Sequence, residues 1–215
     1  MRNLFVEIIE KLKNKINKTT EPVVLESHFN SEGDEIVTTK DSEGNIYEIR
    51  YNKSFTAKLS QASDEVKDYY NKIKNHALSY KALNSKISWN YDSINIGIKQ
   101  LMRFMIRGKT LCVYYALDEV DYKYKVERTD TKKFDCVPIL YRIKNDRRCD
   151  YAKELVDILM RKFHVKARRE SNEDFTLPYE ETRILLERGL IKETQTKLGK
   201  VIVGPRDAIS IAKLD

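Results

Sequence analysis

Cysteine, histidine, glycine and proline are all scarce in this sequence, with three, three, seven and four among 215 residues. Each shortage closes off a class of protein. Cys112, Cys136 and Cys149 are odd in number and widely spaced, so neither a disulfide framework nor a structural zinc site is expected. His28, His76 and His164 stand far apart, without a Cys or Asp/Glu partner at metal-ligand spacing. They read as surface or capping histidines. Few glycines and prolines in a chain that is 34% charged argue for a folded protein over long disorder. No apolar run approaches the roughly 20 residues that cross a bilayer. The first residues interleave Leu4, Ile8, Ile9, Leu12 and Ile16 with Glu7, Glu10, Lys11 and Lys13, so no continuous signal segment is read. The expectation is a cytoplasmic protein with reduced thiols, no metal, no cofactor and no membrane span.

Charge is what the chain has instead, and it is uneven. Residues 51–170 hold 26 Lys and Arg against 15 Asp and Glu, while residues 1–50 and 171–215 are both net acidic. A basic middle attracts nucleic acid, acidic headgroups or an acidic partner. It is equally the mark of a lysine-rich solvated surface.

The patterning predicts an α+β fold: an antiparallel sheet with helices packed on one face, preceded by an N-terminal amphipathic helix and a β-hairpin. Residues 3–17 carry apolar positions at helical spacing. Glu35 to Thr39 and Ile46 to Tyr51 flank Asp41-Ser42-Glu43-Gly44-Asn45, a turn sequence between two strands. Ser63 is an N-cap candidate, followed by Asp64 and Glu65, with Val66, Tyr70, Ile73, Ala77 and Tyr80 along one helical face to about Lys81. Ile87, Trp89 and Tyr91 alternate as a strand. Ile98 to Arg107 and Thr110 to Leu117 form a hairpin; a II′ turn at Gly108-Lys109 sets Ile106 against Leu111, Phe104 against Val113 and Arg103 against Tyr114, whereas a turn at Arg107-Gly108 shifts the partners but keeps the same faces together. Asp118 to Lys133 is a polar connection. Val137 to Ile143 is a further strand, and the helix after it turns Ala152, Leu155, Val156, Leu159 and Phe163 to the core. Pro178, Glu180 and Glu181 open a short helix that Gly189 stops. Leu198 to Val203 reads as a last strand. Three divisions follow: an extension over 1–48, a basic core over 49–170 and an appended segment over 171–215.

Several strings resemble a known family. They are Arg50-Tyr51-Asn52-Lys53-Ser54-Phe55-Thr56-Ala57-Lys58-Leu59, Ile106-Arg107-Gly108-Lys109-Thr110-Leu111-Cys112, Leu140-Tyr141-Arg142-Ile143-Lys144-Asn145-Asp146-Arg147-Arg148, Tyr151-Ala152-Lys153-Glu154-Leu155 and Leu177-Pro178-Tyr179-Glu180. Over about residues 50–192 the chain resembles an uncharacterised domain of clostridia and related Gram-positive bacteria, often present as repeated copies. The resemblance implies no activity or ligand. Repeated copies in longer proteins imply a binding or scaffolding module.

Catalytic motifs fail on inspection. Gly108-Lys109-Thr110 looks like the end of a phosphate-binding loop, but position 103 is arginine where that loop needs glycine, and the segment is a hairpin turn. Asp118, Glu119 and Asp121 read as a solvated acidic loop more readily than as an acid–base pair. Cys149 lies near a helix start beside Arg147 and Arg148, a setting that lowers a thiol pKa. The reading leans away from an enzyme.

The candidate site is Arg142, Lys144, Arg147 and Arg148. Cations in the first turn oppose the helix dipole, and the unpaired N–H groups there already attract anions. Arginine adds flat bidentate donors. The expectation is a non-enzymatic binding or scaffolding module that engages an acidic protein partner or a phosphate-bearing ligand. The competing structural reading pairs these arginines with Asp118, Glu119, Asp146 or Asp150. The alternative function is nucleic-acid binding by Arg103, Arg107, Tyr114, Lys166, Arg168 and Arg169 on a basic, aromatic surface.

Overall fold

The computed structural model describes residues 23–30, 35–167, 171–203 and 209–213. The expected helix at 3–17 lies outside them. Contacts divide the chain into two units, residues 52–192 with 31–33 forming the larger and 1–30, 34–51 and 193–215 the smaller. The fold is α+β, with one antiparallel sheet in each unit.

In the smaller unit β1 (Val23–Phe29), β2 (Glu35–Lys40), β3 (Asn45–Lys53), β10 (Ile191–Val203) and β11 (Ile209–Lys213) lie in the order β1-β2-β3-β10-β11. The β2–β3 turn is built by its own side chains. Asp41 Oδ1 accepts from the backbone N–H of Glu43 and Asn45 at 2.9 and 2.8 Å, and Gly44 supplies the positive φ of 83°.

The larger unit holds six strands, in the order β4-β5-β6-β7-β9-β8: β4 (Leu83–Ile87), β5 (Asp92–Ile96), β6 (Lys99–Arg107), β7 (Thr110–Tyr115), β8 (Glu127–Arg128) and β9 (Ile139–Ile143). The β6–β7 register pairs Ile106 with Leu111, Phe104 with Val113 and Arg103 with Tyr114, as the II′ turn predicts. Gly108 has φ +56° whereas Lys109 does not take positive φ, the asymmetry that separates II′ from I′.

Helices α1 (Phe55–Ser60), α2 (Asp64–Leu78) and α3 (Asp146–Lys162) pack on one sheet face. Ser54 and Ser63 cap the first two, accepting from Ala57 and Val66. Tyr70 meets Phe104 edge-on at 5.3 Å, and the Tyr115 hydroxyl donates to the Ala152 carbonyl at 3.1 Å. Ile73, Leu155, Val156 and Leu159 are fully buried there, each worth about 1.5–3 kcal/mol in burial. Helix α4 (Thr182–Glu187) starts after its cap Glu181 and stops at Gly189, where φ is +69°.

Two expectations need correction. Trp89 and Tyr91 do not continue a strand: Ser88 bonds the Tyr91 carbonyl through both its N–H and its hydroxyl, closing a turn between β4 and β5. Second, the outer face of β6 and β7 is not open. Leu101, Cys112 and Tyr114 are buried on it: Phe134, just after the Asp118–Lys133 connection, stacks on Tyr114, and Arg142 Nη1 lies 3.8 Å from Cys112 Sγ. A stretch that reads as polar thus hides two apolar anchors, Tyr124 and Phe134. No helix among the described residues is long and apolar enough to cross a membrane.

Candidate functional site

Strand β9 ends at Ile143, and α3 begins three residues later. Asn145 is the N-cap, with φ −166° and ψ 172°, and its Oδ1 accepts the Arg148 N–H at 3.0 Å. Arg147 and Arg148 therefore sit in the first turn, with Asp146 ahead of them as the one acidic residue favourable to the dipole there.

Each arginine has a different partner. Arg142, on the outer face of β9, makes a fork with Glu127: Nε to Oε1 at 2.9 Å and Nη2 to Oε2 at 3.1 Å. Glu127 pairs with Leu140 in the β8–β9 ladder, so Arg142 is its diagonal neighbour on one face. Hydrogen bonding from Arg142 holds the Glu127 carboxyl below the usual range and raises the guanidinium in return. The pair is half open to water, which limits its worth to about 1 kcal/mol. Arg148 donates to the Arg142 carbonyl at 2.8 Å and lies 5.0 Å over the Tyr141 ring. Arg147 is exposed, donates to the Tyr151 hydroxyl at 3.0 Å and lies 5.4 Å over that ring. Lys144 is exposed. Tyr151 in turn meets Tyr124 edge-on at 5.4 Å.

The structure brings the four cations to one corner and lays two of them on tyrosines. The counter-charge is not the expected one. Asp118 binds Lys162 at 2.5 Å, Asp150 binds Lys153 at 3.1 Å, and the Asp146 charge acts on Tyr69, helping to raise its hydroxyl after desolvation. Glu127 does the neutralising, from a strand two residues long inside the polar connection. Its only sequence signal is the Glu127-Arg128 pair, indistinguishable from the charges around it.

The nucleic-acid set is scattered. Tyr114 is fully buried, stacked on Phe134 with centroids 4.4 Å apart. Arg103 is 5% exposed, wedged between Tyr91 and Phe134, and donates to the Lys133 carbonyl and to Gln100 Oε1. Arg107 is half-buried beside the same two rings as Tyr114 and Phe134 define. Neither Tyr114 nor Arg103 presents a face on which a base stacks. Lys166 is exposed; Arg168 and Arg169 lie outside the described residues.

Cys149 is buried under α3 and its thiol is pushed up to about 11 by desolvation. Burial outweighs the charges of Lys153 and Lys72, which act to lower it, so the activated thiol that the helix start suggests does not arise. Cys112 is buried and raised for the same reason. His76 Nε2 lies 2.6 Å from Asp157 Oδ1, which also accepts from the Tyr80 hydroxyl at 2.7 Å. Among the described residues no group of three His, Cys, Asp or Glu side chains is placed to hold a metal ion.

No family model, no curated protein and no solved structure matches this chain.

Proposed function

We propose that the chain is a non-enzymatic binding or scaffolding module that takes up an acidic protein partner or a phosphate-bearing ligand at Lys144, Arg147 and Arg148, with Arg142 adding to the positive field. The observation that carries this reading is the pair of guanidinium groups in one helical turn, each resting on a tyrosine ring. A stacked guanidinium is held flat and keeps N–H edges for bidentate bonding to carboxylate or phosphate. Glu127 pairs with Arg142, and Asp146 is the one acidic residue in the first turn of α3. Retaining cations where the helix dipole disfavours them costs stability, about 0.3–1 kcal/mol each, and an anion returns that cost on binding.

The test is calorimetric titration of the chain with pyrophosphate and with an oligoglutamate peptide at about 0.15 M salt, where surface attraction is largely screened. Binding of either probe that is lost in Arg147→Glu/Arg148→Glu, with the melting temperature preserved, supports the reading. Binding untouched by the double reversal, or no binding by either probe, sinks it. A single-stranded oligonucleotide that binds with steep salt dependence and responds to Lys166→Glu would favour the nucleic-acid alternative.

A further inference from the structure

Phe134 lies on the outer sheet face against Tyr114 of β7 and the guanidinium groups of Arg103 and Arg107 of β6. Over β4, β5 and the start of β6 the face is open, forming a trough of about 750 Å³ lined by Asn84, Lys86, Tyr91, Ser93, Asn95 and Gln100 among others. The face is polar because of how β5 alternates. Asp92 and Ile94 turn to the helix side and are buried, which sends Ser93 and Asn95 outward. Strict alternation from Met102 and Phe104 would put Gln100 on the helix side as well. The register skips between Ile94–Met102 and Asn95–Gln100, and this bulge re-aims Gln100 to the face of Asn95.

Two cross-strand rows result: Asn84–Asn95–Gln100, and Lys86–Ser93–Arg103. The second row fixes the first. Arg103 has only donors, and its Nη2 meets Gln100 Oε1 at 2.8 Å, so the Gln100 amide turns its NH₂ away from Arg103. Asn95 spends its NH₂ on Ser93, at 3.0 Å to Oγ and 3.4 Å to the carbonyl, and Ser93 Oγ donates to the Lys86 carbonyl at 3.0 Å. Neither Gln100 Nε2 nor Asn95 Oδ1 has a hydrogen bond within the described residues. A donor and an acceptor thus stand side by side on adjacent strands. Tyr91, steadied by the Arg103 guanidinium 4.1 Å from its ring centre, contributes an aromatic wall. No carboxylate is among the residues lining the trough, and Lys86 is exposed within it.

We infer that this trough is a carbohydrate-binding site. A hydroxyl both donates and accepts, so two vicinal hydroxyls satisfy an amide NH₂ and an amide oxygen held next to each other. The C–H face of a pyranose ring suits the tyrosine wall. A hydrogen-bonding floor without a carboxylate matches neither an apolar ligand nor a metal. Lys86 adds preference for a sugar that carries a carboxylate. The site is independent of the arginine corner at α3.

The experiment is a two-dimensional ¹H–¹⁵N titration of the full chain with cellotetraose, chitotetraose and tetragalacturonate. The readout is the side-chain NH₂ signals of Gln100, Asn95 and Asn84. Saturable shifts of these signals by at least one oligosaccharide are expected, with the galacturonate arm weakened by Lys86→Ala. Asn84→Ala/Gln100→Met should weaken binding about tenfold or more, the loss of one to two net hydrogen bonds. Arg147→Glu/Arg148→Glu should leave sugar binding unchanged, which separates this site from the anion reading. Absence of shifts with all three sugars at about 10 mM, beyond the millimolar range of weak specific binding, overturns the inference. So does an unchanged affinity in Asn84→Ala/Gln100→Met, read from the Asn95 side-chain NH₂ signals that this variant keeps. If that double variant fails to fold, Lys86→Ala on the exposed edge strand and the wild-type shifts still decide it.

Discussion

Lys74 Nζ lies 2.8 Å from Asp92 Oδ2, and the two side chains are 3% and 0% exposed. The ion pair is embedded in a closed network. The Tyr70 hydroxyl donates to the same carboxylate oxygen at 2.7 Å and accepts from Lys74 at 2.9 Å, while Ser85 donates to Asp92 Oδ1 at 2.8 Å. Phe175 closes over the ammonium at 4.2 Å. Buried charges persist only when paired and fully hydrogen-bonded. This pair ties α2 to β5 across the helix–sheet interface.

Removing one partner leaves the other charged and unpaired in the core. Asp92→Asn and Lys74→Met are each expected to cost about 3–5 kcal/mol in urea unfolding. The double variant should lose clearly less than the sum of the two. Additive losses would mean the ion pair is not an energetic unit.

Tyrosine burial sets an alkaline limit. Desolvation pushes the Tyr114 hydroxyl up to about 12, and desolvation with the Asp92 charge raises Tyr70 further. The unfolded chain ionises tyrosine near 10.0, so the folded state is favoured below that pH and loses the contribution as pH climbs from 10 toward 12. Unfolding free energy measured in urea at pH 8, 10 and 11 should fall across the last interval. Tyr114 OH is also buried without a hydrogen-bond partner, so Tyr114→Phe should be neutral or stabilise by up to about 1 kcal/mol at pH 8. It should flatten the alkaline decline as well. A variant that unfolds more easily at pH 8 would show that the hydroxyl has a partner.

The sequence made the Gly108 hairpin, the Ser63 cap and the helix start at Arg147 and Arg148 legible, because each depends on residues adjacent in the chain. The alternation fixed the two faces of the hairpin, while its register waited on which two residues form the turn. What stayed hidden depends on contacts distant in sequence. Phe134 sits in a polar stretch whose charges conceal a single aromatic anchor for the outer face. Trp89 and Tyr91 are the local exception: they carry a strand's alternation, but Ser88, three residues before Tyr91, closes a turn on them. The arginine corner could be located from its spacing, yet its neutraliser Glu127 could not, since the two lie 15 residues apart and are joined only by the β8–β9 ladder. Gln100 shows the same limit: a bulge, invisible in the pattern, decides its face.

The thiols should separate by burial. Cys136 is exposed, whereas Cys112 and Cys149 are buried with raised pKa values. At pH 8 an aromatic disulfide reagent should modify one thiol per chain rapidly and the other two only after denaturant is added. Mass spectrometry should place the fast label on Cys136. Rapid labelling of Cys149 would mean that α3 opens readily at its N-terminal end.

Asn75 binds the segment after residue 170 along α2 in the manner of a strand partner. Its Nδ2 donates to the Glu173 carbonyl at 2.7 Å, and its Oδ1 accepts the Glu173 N–H at 3.0 Å and the Ser171 hydroxyl at 2.9 Å. Asn71 Oδ1 takes the Phe175 N–H one helical turn earlier, at 2.9 Å. These amides hold the backbone that carries Phe175 onto Lys74. Asn75→Ala removes three bonds to the segment, besides the contacts of its Nδ2 with Asn71, at about 0.5–1.5 kcal/mol net each, part of which solvent regains because the segment is exposed. A global loss of about 1–2 kcal/mol is expected. The more telling effect is local: amide exchange at Glu173 and Phe175 should accelerate far more than exchange in β6 or β7. If exchange rises uniformly across the larger unit, the segment is an integral part of the cooperative core and Asn75 is not its separate fastening.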